Sequence, residues 1–110
     1  MTTEGDNPIR RLLALDRTVH EPARLAILVL LSAVERADFL YILDETGLSK
    51  GNLSSHLSKL EAAGCIRVEK TFVDKIPRTE YELTASGRKA LASHRESLFN
   101  ALGVSDLKTR

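Results

Sequence analysis

A chain of 110 residues with one cysteine, Cys65, forms no disulfide within itself. A disulfide-stapled secreted scaffold is thereby excluded, and a reducing cytoplasm is the expected compartment. Long apolar runs are lacking too. The longest, Leu25 to Leu31, is far short of the roughly 20 residues a membrane span requires. The acidic and polar stretch ahead of Pro8 lacks the basic-then-apolar order of a secretory leader. No membrane partner is therefore expected. The three histidines and the cysteine lie apart, without Cys-x-Cys or paired-His spacing, so neither a metal site nor another cofactor is expected. A Gly-x-Ser-x-Gly elbow, a phosphate-binding loop and paired acids suited to a cleft are also missing. Catalytic residues are accordingly not expected, and an enzyme is the least favoured class. Without repeats, low-complexity tracts or an internal linker, the length fits one domain over residues 8–102, with flexible ends at 1–7 and 103–110.

Charge is nearly balanced at +1, which argues against indiscriminate coating of nucleic acid. Its placement says more. From Ser49 to Arg78 the basic residues Lys50, Lys59, Arg67, Lys70, Lys75 and Arg78 face only Glu61, Glu69 and Asp74, whereas Glu35, Asp38, Asp44 and Glu45 outnumber Arg36 just upstream. Positive charge thus gathers on one segment, as a local nucleic-acid footprint requires.

That segment opens with a capped helix. Ser49 is placed to cap it and Gly64 to stop it; Leu53, Leu57 and Leu60 recur on one stripe at about 100° per residue. The opposite arc carries Gly51, Asn52, Ser55, Ser58 and Lys59. These groups are short or flexible, so the backbone can come close to DNA while hydroxyl, amide and ammonium groups reach phosphates and base edges. Serine and asparagine are poor helix formers, so a face selected for stability alone would rarely use several. Gly51 is explained equally well by close approach to DNA or by a relaxed first turn. His56, beside the leucine stripe, is expected to pack against the following hairpin rather than to read bases.

The flanking elements follow from caps and periodicity. Asn7-Pro8 opens a short helix with the stripe Ile9, Leu12, Leu13, and Pro22 opens a second at about His20 or Glu21, with His20 in its cap region, that is apolar nearly all round. Asp38 caps a helix over Phe39 to Thr46 that ends at Gly47, with Leu40, Leu43, Leu48, Leu53 and Leu57 as the expected interior. From Cys65 the period changes to two: Ile66, Val68 and Phe72 share one face, and Tyr81 and Leu83 alternate with Glu80 and Glu82. The two strands flank Asp74-Lys75-Ile76-Pro77-Arg78, a hairpin with a basic tip. Thr84 caps a last helix whose Leu91, Leu98 and Leu102 suggest a seam between subunits. Cys65 is expected to be a small buried hydrophobe, while His94 is placed equally well toward water or toward a partner. The fold class is mostly α with a small β-hairpin.

The order helix-turn-helix, hairpin, helix is the winged helix-turn-helix plan. The chain resembles small single-domain transcriptional regulators of the MarR and ArsR type, through Leu15 to Leu28, Asn52 to Glu61 and Pro77 to Gly87. The resemblance implies a homodimer on double-stranded DNA, joined through its terminal helices. The helix at residues 49–63 would enter the major groove, with the wing at 65–84 beside the minor groove. Carried over by position, it implies DNA contacts at Lys50, Asn52, Ser54, Ser55 and Lys59, and wing contacts at Lys75 and Arg78. One departure is plain: such wings commonly have a glycine and two basic residues where this chain has Asp74-Lys75-Ile76. The expected function is a sequence-specific repressor, with an unidentified small-molecule effector as an addition. The alternative is a winged-helix protein-interaction module that does not read DNA, since fold does not fix function.

Overall fold

The computed structural model describes residues 7–103. Five helices and three strands follow in the order α1 (Pro8–Leu13), α2 (Pro22–Ala33), β1 (Ala37–Asp38), α3 (Phe39–Thr46), α4 (Lys50–Ala62), β2 (Ile66–Val73), β3 (Ile76–Leu83) and α5 (Ala85–Leu102). Each helix start is closed by a side chain that accepts from otherwise unpaired amides. Asn7 caps α1, Asp38 α3, Ser49 α4 and Thr84 α5. The cap of α2 is Glu21, not His20; its carboxylate accepts from the amides of Ala23 and Arg24, where a histidine ring cannot fold back as readily.

The sheet has three strands rather than the two expected, in the order β1-β3-β2. Ala37 and Asp38 pair with Tyr81 and Glu80; two residues are too few to show a period. The hairpin also turns more tightly than its composition suggested. Its ladder runs out to Phe72 opposite Pro77 and Val73 opposite Ile76, leaving Asp74 and Lys75 as the turn, with φ of 51° and 68°. Positive φ at both central residues is the twist-matched hairpin turn. Ile76, Pro77 and Arg78 are therefore strand residues. Pro77 is tolerated because β1 ends before reaching it, so β3 has a free edge there.

Around this frame the core is formed by Val19 with Ile27, Leu28 and Leu31 of α2, Ile42 of α3, Leu53, Leu57 and Leu60 of α4, and Ile66, Tyr81 and Leu83 of the sheet. Burying each large aliphatic side chain stabilises the fold by about 1.5–3 kcal/mol. Leu40 is not among them. It is 67% exposed, and Ile42 is the buried residue of α3, because two residues along a helix rotate a side chain by about 200°, to the opposite face. On α2, Ile27, Leu28 and Leu31 are sealed but Val29 faces outward.

Helix α5 is rooted against the start of β2. The Thr84 hydroxyl donates to the Gly64 carbonyl at 2.6 Å, and the Thr84 amide donates to the Cys65 carbonyl at 3.0 Å. A Cβ on Gly87 would fall 2.0 Å from that Cys65 oxygen, so only glycine allows this approach. Farther along, α5 packs on α1, with Arg11 Nη2 donating to Ser97 Oγ at 3.3 Å. Leu91 and Leu98 are half-buried, while Leu13, Phe99 and Leu102 stand in solvent.

Candidate nucleic-acid interface

Two glycine-ended turns set α4 in place. Gly47 adopts the left-handed conformation at φ 68°, with its amide donating to Leu43 O, and so reverses the chain between α3 and α4. Leu48 is half-buried beside it, and the Ser49 hydroxyl accepts from the Asn52 amide at 3.2 Å. At the other end Gly64, at φ 77°, turns the chain out into β2.

Between those turns Leu53, Leu57 and Leu60 are sealed, so the opposite arc must face outward. Lys50, Asn52, Ser54, Ser55 and Lys59 are all exposed, as are Gly51 and Ser58. A Cβ on Gly51 would meet nothing within 4 Å. Packing inside the protein therefore gives no reason for a glycine there. The helix N-terminus adds its partial positive charge beside Lys50.

His56 has the structural role expected of it, but with a different partner. Its Nδ1 lies 3.3 Å from Glu21 Oε2 and 3.2 Å from Arg24 Nη1, at the start of α2 instead of on the hairpin. The hairpin leaves from the C-terminal end of α4. Neither Arg24 nor Glu21 was singled out by sequence; the only signal was the Glu21-Pro22 helix opening.

A second histidine contact joins the segment before α2 to α5. His20 Nδ1 and His94 Nε2 are 3.3 Å apart. His94 is buried and its Nδ1 has no partner; burial, and then the neighbouring His20, pull its pKa down. Cys65 is buried as expected, and burial followed by Asp16 pushes its thiol up, away from thiolate reactivity. Among the described residues no group of three His, Cys, Asp or Glu side chains is placed to hold a metal ion.

Two arginines of the wing are held by carboxylates. Arg78 donates from Nε at 3.0 Å and from Nη2 at 2.6 Å to Asp38 Oδ2, and Asp38 also accepts from the Tyr41 amide at 2.8 Å. That amide first, and Arg78 second, hold the Asp38 carboxyl below its usual range. Arg78 thus braces the wing against the start of α3. Arg67 is likewise held, by Glu82 at 2.7 Å. Among the described residues Lys50, Lys59, Lys70 and Lys75 make no ion pair, and Lys75 stands exposed in the turn. Phe72 and Ile76, 74% and 67% exposed, flank it. Phe72 does share the parity of Ile66 and Val68, but the wing extends past the core that would cover it. An open cleft of about 560 Å³ separates Phe39 and Leu40 from Ile76 to Thr79.

Comparison with known proteins fits this geometry. Residues 23–102 match the family model of the winged helix DNA-binding domain. The chain is 34% identical over 71 residues to an uncharacterized protein of Methanocaldococcus jannaschii, covering 64% of this chain and 77% of that one. Its fold superposes with a TM-score of 0.82 on a transcriptional regulator homologue from Pyrococcus horikoshii, at 30% identity, over 89% of this chain and 99% of the other. A MarR family regulator of Streptomyces coelicolor, solved in complex with DNA, shares the fold at 21% identity and a TM-score of 0.62, over 99% and 79% of the two chains. The chain belongs to the family of winged helix DNA-binding domains, and it shares its fold with regulators of the MarR and ArsR families. No helix among the described residues is long and apolar enough to cross a membrane.

Proposed function

We propose that the protein is a cytoplasmic homodimeric repressor that reads a specific duplex through α4 and occludes a promoter, without catalysing a reaction. The observation that carries this is the division of α4: three leucines sealed inside, and an outer arc of glycine, serines, asparagine and lysines with no bulky side chain. Lys50 and Lys59 hold phosphates, Asn52, Ser54 and Ser55 address base edges, and Lys75 reaches the backbone beside the minor groove. Arg78 contributes first through its brace on Asp38. Its remaining Nη1 is the group available to a phosphate.

Dimerisation is supported by the apolar surface left on α1 and α5, where Leu13, Phe99 and Leu102 are each at least 75% exposed. Two reading helices related by a dimer axis address half-sites about one helical turn, roughly 34 Å, apart. Selection from a random duplex pool is the test. Enrichment of a palindrome with that spacing, retained in a salt-dependent manner, is the expected result. Recovery of a protein partner with no retention of duplex would replace this reading with an interaction module.

A further inference from the structure

The leucine face of α4 turns the polar arc outward, but apolar packing has little directionality, so it sets the roll of the helix about its own axis only coarsely. Rotation matters for reading. A roll of about 20° moves an atom some 6 Å from the axis by roughly 2 Å, more than the whole range of useful hydrogen-bond lengths. A directional tie is needed, and among the described residues one side chain of α4 makes a polar side-chain contact with another element. It is His56.

We infer that His56 is a positioning residue of the reading helix, locked by the Glu21–Arg24 pair, and that it sets sequence discrimination without touching DNA. The anchor it meets is itself immobilised. Glu21 accepts from the amides of Ala23 and Arg24 at 3.0 and 3.1 Å. Arg24 donates from Nε to Thr18 O at 2.7 Å and from Nη2 to Arg17 O at 3.2 Å. Exposure of the three side chains is low, at 13% for Arg24, 20% for His56 and 29% for Glu21, so this is not a loose surface pair. The same nitrogen of His56 faces both partners, accepting from Arg24 or donating to Glu21 according to its tautomer. One turn to either side on α4 lie Asn52 and Lys59, so any roll that His56 prevents would displace both.

This inference rests on the DNA-reading function proposed above, and the experiment separates the two. Affinity is measured for the duplex selected by the wild-type protein and for a scrambled duplex of equal length, with folding checked by thermal melting. His56→Ala should lose about tenfold in affinity for the selected duplex, the scale of one misread base pair. Affinity for the scrambled duplex and its salt dependence should stay unchanged. His56→Asn, whose amide group occupies the place of Nδ1, should recover most of the loss. Glu21→Ser keeps a competent helix cap but is too short to reach His56. It should reproduce the loss, and the double variant should be no worse than either single one.

Unchanged discrimination in His56→Ala would overturn the inference alone. So would a loss confined to His56→Ala with both Glu21→Ser and Arg24→Leu unaffected, which would make His56 a direct DNA contact. Failure of the wild-type protein to distinguish the two duplexes would overturn both readings.

Discussion

Helix α4 keeps Leu53, Leu57 and Leu60 sealed and turns polar or small groups outward, whereas the wing leaves Phe72, Val73 and Ile76 in solvent. The two basic arms of the interface are therefore built on opposite terms. The helix owes its position to the core beneath it. Beyond Val68, the wing has no core beneath it and is held by its backbone ladder and by the Arg78 bridge to Asp38. Function that demands accuracy belongs on the element with the rigid support.

The sharpest way to break this contrast is to truncate one apolar side chain on each arm. Leu53→Ala should cost about 2–5 kcal/mol, since the residue is solvent-free and its loss leaves a cavity. Phe72→Ala should stay within about 0.5 kcal/mol. Urea unfolding of both variants checks this, and equal losses would mean that the wing tip is covered by something in solution.

A smaller effect is expected on reading. Asn52→Ala should narrow the gap between selected and scrambled duplex by about 1–3 kcal/mol, the worth of one good bidentate base contact. Competition binding at fixed salt measures it. No single wing substitution should change discrimination as much.

At the joint between the arms, Asp38→Ala should destabilise by about 1 kcal/mol through the lost cap of α3. Its titration reports cap and bridge together. Because the folded carboxyl is held below its ordinary value, chiefly by the Tyr41 amide and then by Arg78, folding favours the ionised form. That stabilisation is complete above the ordinary carboxylate pKa and is lost as pH falls through the lower folded value. Asp38→Asn keeps a side chain able to cap, and should flatten the stability curve over that acid window; denaturant unfolding from neutral pH downward would show it.

Most of the fold was legible because its signals are local. Asn7, Asp38, Ser49 and Thr84 act on amides two or three residues away, and the leucine stripe of α4 repeats at the helical period. What escaped was long-range. The two-residue strand Ala37–Asp38 exists only because β3 comes alongside it. The pairings of Arg78 and Arg67 are hidden from spacing because their acids, Asp38 and Glu82, lie 40 and 15 residues away. Periodicity places His56 on the flank of α4, but its partners, Glu21 and Arg24, come from the start of α2, which no spacing rule could supply. Alternation likewise put Phe72 on the correct face but could not say that the body ends before it.

The finest test of the contrast uses the lysines, where both arms present the same charge. If α4 is docked in the groove, Lys59→Ala removes one phosphate contact and should lower the slope of log affinity against log salt by close to 0.9. Lys75 has equal charge but stands on a strained two-residue turn between Asp74 and the apolar Ile76, on an arm with no core behind it. An adjacent carboxylate repels the same phosphates that the ammonium attracts, so Lys75→Ala should reduce the slope by clearly less. Titrations on one duplex at several salt concentrations decide it. Asp74→Asn in the Lys75 background should then raise affinity by relieving the repulsion. Equal slopes for the two alanine variants would mean that the wing grips the backbone as firmly as the helix does, despite its acid and its exposed apolar tip.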